Sequence, residues 1–263
     1  MSVVVSTRDR SHFLRSCLES LSLQDCSFAF EVVVVDNASS DDTRQLVQEF
    51  GREDQRFRYI FEERVGLSHA KNAGVRASVS PLIAFTDDDV VLDPQWLRSL
   101  AECAQRQTSP LFILGGPIHP IPHDLGPWPA WLPDEALRDL PSLDHRAARP
   151  LEAFEHLWGA NIAVPRGAFD VLGLWDVELG RSGDLRGTYE DIELVDRIRA
   201  AGGIAFFCLN ARLQHRIERS NVSPGYVLRR AFNRGTNEQW RAARGVPAPG
   251  HNPPLDAVFG EPL

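Results

Sequence analysis

Short apolar runs alternate with segments of helical spacing along the first 110 or so residues of the chain. A short, nearly continuous apolar run bounded by polar residues predicts a strand buried on both faces. Such runs fall at Ser2–Ser6, Glu31–Val35, Phe57–Phe61 and Leu82–Phe85. Between them apolar residues recur at intervals of three and four, which predicts helices. The first carries Phe13, Leu14, Cys17, Leu18 and Leu21, with Ser11 as its expected cap. The second carries Leu46, Val47 and Phe50 behind Asp41 or Asp42, and the third, over 68–77, the small residues Ala70, Ala73, Gly74 and Ala77. A fourth runs from Pro94 through Trp96, Leu97 and Leu100. Alternating strands and amphipathic helices of this kind predict an α/β domain with a mostly parallel sheet flanked by helices.

The pattern loosens beyond residue 110. Leu111–Leu114 and Ala160–Val164 read as strands, and Pro165 opens a short helix. The Pro- and Trp-rich stretch Pro117–Pro133, with Trp128 and Trp131, is too long for a plain connector and is expected to be a binding loop. Glu190–Ala200 has helical spacing, with Gly202 placed to end it, and Ile204–Cys208 is expected to be the last strand. From Pro224 onward Val227, Leu228, Ala231 and Phe232 alternate with Arg229, Arg230 and Arg234, which predicts a basic amphipathic helix. That helix is expected either to cover the edge where the strands end, to touch an anionic membrane surface, or to pack on the core. The expected organisation is one domain over 1–222, its halves meeting at 110/111, followed by the helix and a loose tail over 223–263.

Composition narrows the function classes. A formal net charge of −8 argues against nucleic acid as a partner. The four cysteines are scattered without a CxxC pair, so reduced thiols in a cytoplasmic protein are expected. No apolar run approaches the ~20 residues of a membrane span, and no stretch resembles a secretory leader. Lys71 is the only lysine.

The chemistry centres on FTDDDVVLD at 85–93, where Asp87, Asp88 and Asp89 follow an apolar strand directly. Like charges this close repel, and burying unpaired carboxylates is costly, so a cation is expected among them. Ligands of open α/β sheets bind beyond the carboxyl ends of the strands. Asp36 follows EVVVV, and Thr7, Arg8 and Asp9 follow the first strand, so all of these should meet at one edge. An acidic site that also holds Arg8 and Lys71 suits a metal-chelated polyphosphate, and oxygen-rich ligands select Mg2+ or Mn2+. Plainer readings compete for several residues. Asp36, Asn37 and Ser39–Asp42 are also turn and cap types, and Glu190-Asp191 also suits a helix N-terminus. Lys71 on a helix also reads as a solvated charge, and His215 as a satisfied histidine.

Six segments in order carry a resemblance: VVVSTRDR at 3–10, VVVVDNASSDDT at 32–43, GLSHAKNAG at 66–74, FTDDD at 85–89, GAN at 159–161 and YEDIEL at 189–194. With His215 they resemble a family-2 inverting glycosyltransferase of the GT-A fold, of the soluble bacterial type. The resemblance implies transfer of a sugar from a nucleotide-diphosphate sugar, a UDP-sugar being favoured, to an acceptor hydroxyl. It implies that Asp36 meets the nucleotide base, with Thr7, Arg8 and Asp9 lining the same pocket. Lys71 would lie beside the diphosphate, where Lys keeps the charge of the family's more usual Arg but not its fork. Asp87, with Asp88, would bind the donor ribose side, and Asp89 would ligate Mn2+ or Mg2+, with His215 completing the metal shell. Asp191 would be the general base, and Glu190 and Trp158 would hold the acceptor. The location implied is cytoplasmic, possible contact with the inner membrane surface resting on the basic helix. Two alternatives stay in view. A nucleotidyltransferase that forms a nucleotide-sugar would carry a Gly-rich loop after the first strand, and STRDRSHFL has no glycine. A non-catalytic nucleotide-binding relative would not be expected to keep both DDD and ED.

Overall fold

The computed structural model describes residues 1–124, 126–132, 143–153, 155–179 and 189–226, with isolated positions 228, 232 and 239. Its first half follows the alternation in the chain. The elements are β1 (Ser2–Thr7), α1 (Ser11–Ser22), β2 (Glu31–Asp36), α2 (Thr43–Glu53), β3 (Phe57–Phe61), α3 (Leu67–Ala77) and β4 (Leu82–Asp87). Next come β5 (Val90–Leu92), α4 (Trp96–Gln105), β6 (Phe112–Gly115), β7 (Ile118–Pro122), β8 (Arg149–Pro150) and β9 (Asn161–Pro165). The series closes with α5 (Arg166–Leu172), α6 (Glu190–Ala200), β10 (Ile204–Phe207), β11 (Leu213–Ile217) and a 3-10 turn, Arg219–Val222.

The main sheet runs β3-β2-β1-β4-β9-β6-β10-β8. Strands β1 to β4 pair in parallel, and so do β6 and β10. Strand β9 is antiparallel to both β4 and β6, so it joins the two parallel halves. Because side chains alternate across a strand, each valine run feeds both faces. Val3, Val5, Val32 and Val34 pack with α1, α2 and α4 through Leu14, Leu18, Leu46 and Trp96. Val4, Val33 and Val35 pack on the opposite face with Ala70 and Val75 of α3 and Leu194, Val195 and Ile198 of α6. Helix α3 lies so close to β1 that a β-carbon at Gly74 would overlap the Val4 side chain, which accounts for the small residues on that face.

Several expectations are corrected. Ser11 is the first residue of α1 rather than its cap, and Arg10 takes the N-cap position without a side-chain cap bond. Asp41 does the capping work: its Oδ1 accepts from the Thr43 N–H at 3.0 Å and its Oδ2 from the Ser11 N–H at 2.9 Å, tying the starts of two helices together. The stretch expected as a loop from Pro117 contains β7, and Leu213–Ile217 forms a strand beyond the expected last one. With β5 these make a second sheet, β5-β11-β7. Trp128 is half-buried and Trp131 exposed, while 133–142 lie outside the described residues. Of the expected basic helix, Val227, Arg229, Arg230, Ala231 and Arg234 also lie outside them, as does the tail from 240 onward. No helix among the described residues is long and apolar enough to cross a membrane.

Candidate active site

The parallel register sets Ser6 opposite Asp87, so β1 and β4 end side by side and bring Thr7 to the aspartates. The chain then reverses into β5, which pairs with β11 so that His215 faces Val90 and reaches Asp89. Asp88 and Asp89 are buried. Thr7 Oγ1 donates to Asp88 Oδ2 at 2.7 Å. Arg10 spans the pair, its Nη1 3.0 Å from Asp88 Oδ1 and its Nη2 2.8 Å from Asp89 Oδ2. His215 Nε2 lies 3.2 Å from Asp89 Oδ1.

Burial and charge divide these neighbours. Burial dominates at Asp88 and, with the adjacent carboxylates, outweighs Arg10 and pushes its pKa up to about 7. Burial acts the same way on Asp89, but His215 and Arg10 override it and hold Asp89 well below the ordinary carboxylate range. His215 is raised in turn, because the Asp89 carboxylate outweighs the burial that disfavours its charge.

The donor set fits a divalent cation. Asp87, Asp89 and His215 each offer one ligand atom, and these atoms lie within 4.8 Å of one another. Asp89 Oδ1 is buried with His215 Nε2 as its ion-pair partner, a contact that a metal ion held by both residues would replace.

The second group of charges gathers at the start of α6, far along the chain from the aspartates. Asp191 Oδ2 accepts from the Gly159 N–H at 2.8 Å, and its Oδ1 from its neighbour, the Ile192 N–H, at 2.8 Å. Lys71 Nζ bonds Glu190 Oε1 at 2.9 Å, and its ammonium also sits 4.4 Å from the centre of the Trp175 ring. Asn72 fixes that tryptophan by a reciprocal pair of backbone bonds, both 2.9 Å. Burial and the adjacent Glu190 push Asp191 up to about 7, against the opposing pull of Lys71. Lys71 is buried yet raised, since Glu190, Asp191 and Asp87 outweigh its desolvation. Glu190 Oε2 is buried without a hydrogen-bond partner. Both groups of charges line one cleft of about 400 Å³, with Trp158 and Arg8 also in its wall.

Residues 2–158 match the family model described as glycosyl transferase family 2. The chain belongs to that family. It is similar to validoxylamine A glucosyltransferase of Streptomyces hygroscopicus subsp. jinggangensis, 29% identical over 77% of this chain and 52% of that one, and so spans about half of that relative's length. Among solved structures it is similar to the mannosyltransferase PcManGT of Pyrobaculum calidifontis in complex with GDP-Man and Mn2+, with a TM-score of 0.63 and 17% identity over 98% of this chain and 67% of that one. It is also similar to S. aureus TarS 1-349 in complex with UDP-GlcNAc, with a TM-score of 0.60 and 18% identity over 82% of this chain and 58% of that one. These likenesses show the GT-A fold.

Within this family-2 chain the remaining expected residues fall in different places. Asp36 is buried, one oxygen accepting from the Ser39 N–H of the turn after β2 at 2.8 Å and the other from the Tyr59 hydroxyl of β3 at 2.7 Å. Asp9 accepts from the Ser40 N–H at 2.6 Å, on the exposed rim, in a positive-φ turn (φ 52°). Asn161 of the GAN segment is structural. Its Oδ1 accepts from Trp96 Nε1, and its Nδ2 donates to the Pro117 and Ala211 carbonyls. Gly159 permits a close approach, since a β-carbon there would sit 2.9 Å from Lys71 Nζ.

Reading the sequence missed Arg10, which stands inside VVVSTRDR but resembles any surface arginine until the fold closes. It also missed Glu218, Asn221 and Tyr226, which line the cleft after β11. Their signal was position alone, directly behind His215.

Proposed function

We propose that the chain is an inverting glycosyltransferase that moves a sugar from a nucleotide-diphosphate sugar to an acceptor hydroxyl. One observation carries the reading: in a family-2 chain, a buried carboxylate with a raised pKa and a carboxylate–imidazole cluster line the same cleft. The bound nucleotide sugars of TarS and PcManGT, UDP-GlcNAc and GDP-Man, support a donor of this class here.

Asp87, Asp89 and His215 would hold Mn2+ or Mg2+, which when bound stabilises negative charge growing on a leaving diphosphate. Thr7 and Arg8 line the donor side of the cleft, and Asp88 is held by Thr7 and Arg10 to support the ligand beside it. Asp191 takes the acceptor proton. A base with a pKa near 7 is about half ionised at neutral pH and keeps useful basicity. Lys71 pairs with Glu190 Oε1, and Glu190 Oε2 and Trp158 face the acceptor. The acceptor oxygen, giving its proton to Asp191, attacks from the side opposite the leaving nucleoside diphosphate, which inverts the anomeric carbon and needs no covalent intermediate.

A thermal-shift screen of UDP- and GDP-sugars with Mn2+ tests the donor class. A ligand at a hundred times its dissociation constant stabilises by ~2.7 kcal/mol, which such a screen resolves. Unchanged melting with every nucleotide sugar would overturn the reading.

A further inference from the structure

Arg10 is the one cation among the described residues that touches both buried aspartates, Asp88 and Asp89. Its position is an unfavourable one for a positive charge. It stands at the N-cap of α1, where the helix dipole favours anions, and no acidic residue occupies the first turn. The Phe13 ring holds the guanidinium from the other side, 4.7 Å from the ring centre. The carboxylates therefore account for the arginine, and the arginine for the carboxylates.

Neither aspartate depends on Arg10 for its orientation alone. Asp88 also accepts from Thr7, and Asp89 also meets His215. What Arg10 supplies uniquely is a permanent positive charge 2.8 Å from a carboxylate that the metal reading makes a ligand. We propose that Arg10 is a built-in counter-ion. It holds the acidic cluster together when no metal is bound, and by its charge it weakens the site for a divalent cation, so that tight metal binding waits for the added negative charge of a nucleotide diphosphate. This inference rests on the metal reading of Asp87, Asp89 and His215 and concerns the residue beside them.

The sign of the effect separates this role from mere positioning. If charge dominates, removing it strengthens metal binding; if Arg10 only shapes the ligands, removing it weakens binding. A fixed unit charge this close to a divalent ion is strong enough, even with water-like screening, to change affinity by ~10-fold or more.

The test measures Mn2+ alone, by calorimetry and by the electron-paramagnetic signal of free Mn2+, on full-length wild type, Arg10→Gln, Arg10→Lys and Arg15→Gln. Arg15 is on the same helix, half-exposed beside Glu49, and controls for net charge. The expected result is a dissociation constant ~10-fold or more lower for Arg10→Gln, with wild-type values for Arg10→Lys and Arg15→Gln. Without metal, Arg10→Gln should melt lower than wild type, and saturating Mn2+ should raise its melting temperature by more than it raises that of wild type. Equal or weaker Mn2+ binding by Arg10→Gln, with wild type still binding, overturns the inference and leaves the metal site standing. Arg10→Lys behaving like Arg10→Gln also overturns it, because a lysine keeps the charge and loses only the fork. Absence of Mn2+ binding by every protein overturns the metal reading together with the inference. Should Arg10→Gln fail to fold even with Mn2+, the Arg10→Lys comparison decides: a dissociation constant within about threefold of wild type supports the charge, and a weaker one refutes it.

Discussion

Asp191→Asn probes both halves of what the fold does to this carboxylate. In the folded protein its pKa rises from an ordinary 3.8 to about 7, because burial and Glu190 disfavour the charge. The ionised form thus destabilises the fold by ~4 kcal/mol above pH 7, at 1.36 kcal/mol per pH unit. Since the folded pKa lies above the unfolded one, this contribution costs nothing well below pH 4 and accumulates as pH rises through 4 to 7. Asparagine removes the charge at every pH. It also replaces one acceptor oxygen by an amide that faces a backbone N–H, from Gly159 or Ile192, at a cost of ~1–3 kcal/mol. The variant should therefore be close to wild type at pH 5 and more stable by ~1–3 kcal/mol at pH 8. Thermal melts at the two pH values read this as a relative gain of ~5–10 °C for a domain of this size. Taking the difference between variant and wild type cancels the other groups that titrate in the window, Asp88 and Asp196 among them. The same variant should transfer sugar ~10²–10⁴-fold more slowly with donor affinity nearly unchanged, and wild-type activity should rise with pH through about 7. A variant that loses stability relative to wild type between pH 5 and pH 8 refutes the burial argument. Transfer within about threefold of wild type refutes the base.

Two further outcomes are expected. Asp89→Ala removes the carboxylate between Arg10 and His215 that is proposed to hold the metal and should abolish Mn2+ binding and transfer while the far-ultraviolet spectrum stays native; full activity in EDTA would contradict it. Asn161→Ala strands three buried partners, the Trp96 indole and the Pro117 and Ala211 carbonyls, and should cost ~3–5 kcal/mol in denaturant unfolding, a loss below ~1 kcal/mol arguing that water replaces them.

Much of the fold was legible in the chain because its strongest signals are local. Val32–Val35 and Ile83–Phe85 are apolar on every residue, and a run covered on both faces needs no partner to be recognised. The three aspartates stood out by density, and their strand placed them at the ligand-binding edge. The strands of the second sheet were harder to read. Val90–Leu92 is too short to show a period, Ile118–Pro122 carries two prolines, and Leu213–Ile217 alternates with polar residues. Each is a strand because the others are there to pair with it.

The sequence by itself determined the α/β class and the acidic edge beyond β1 and β4. These follow from periodicity, from composition over a few residues, and from the rule that strand ends meet at one edge. Only the tertiary structure decided which charges neutralise which. Lys71 and Glu190 are 119 positions apart, and Arg10 and Asp89 are 79 apart. It also decided that Asp36 accepts from Ser39 and Tyr59, and that His215 comes to Asp89 on a strand of a sheet the pattern did not announce. A charge has no period, and its strength depends on burial and on the distance to its partner, two quantities that exist only once the chain has closed on itself.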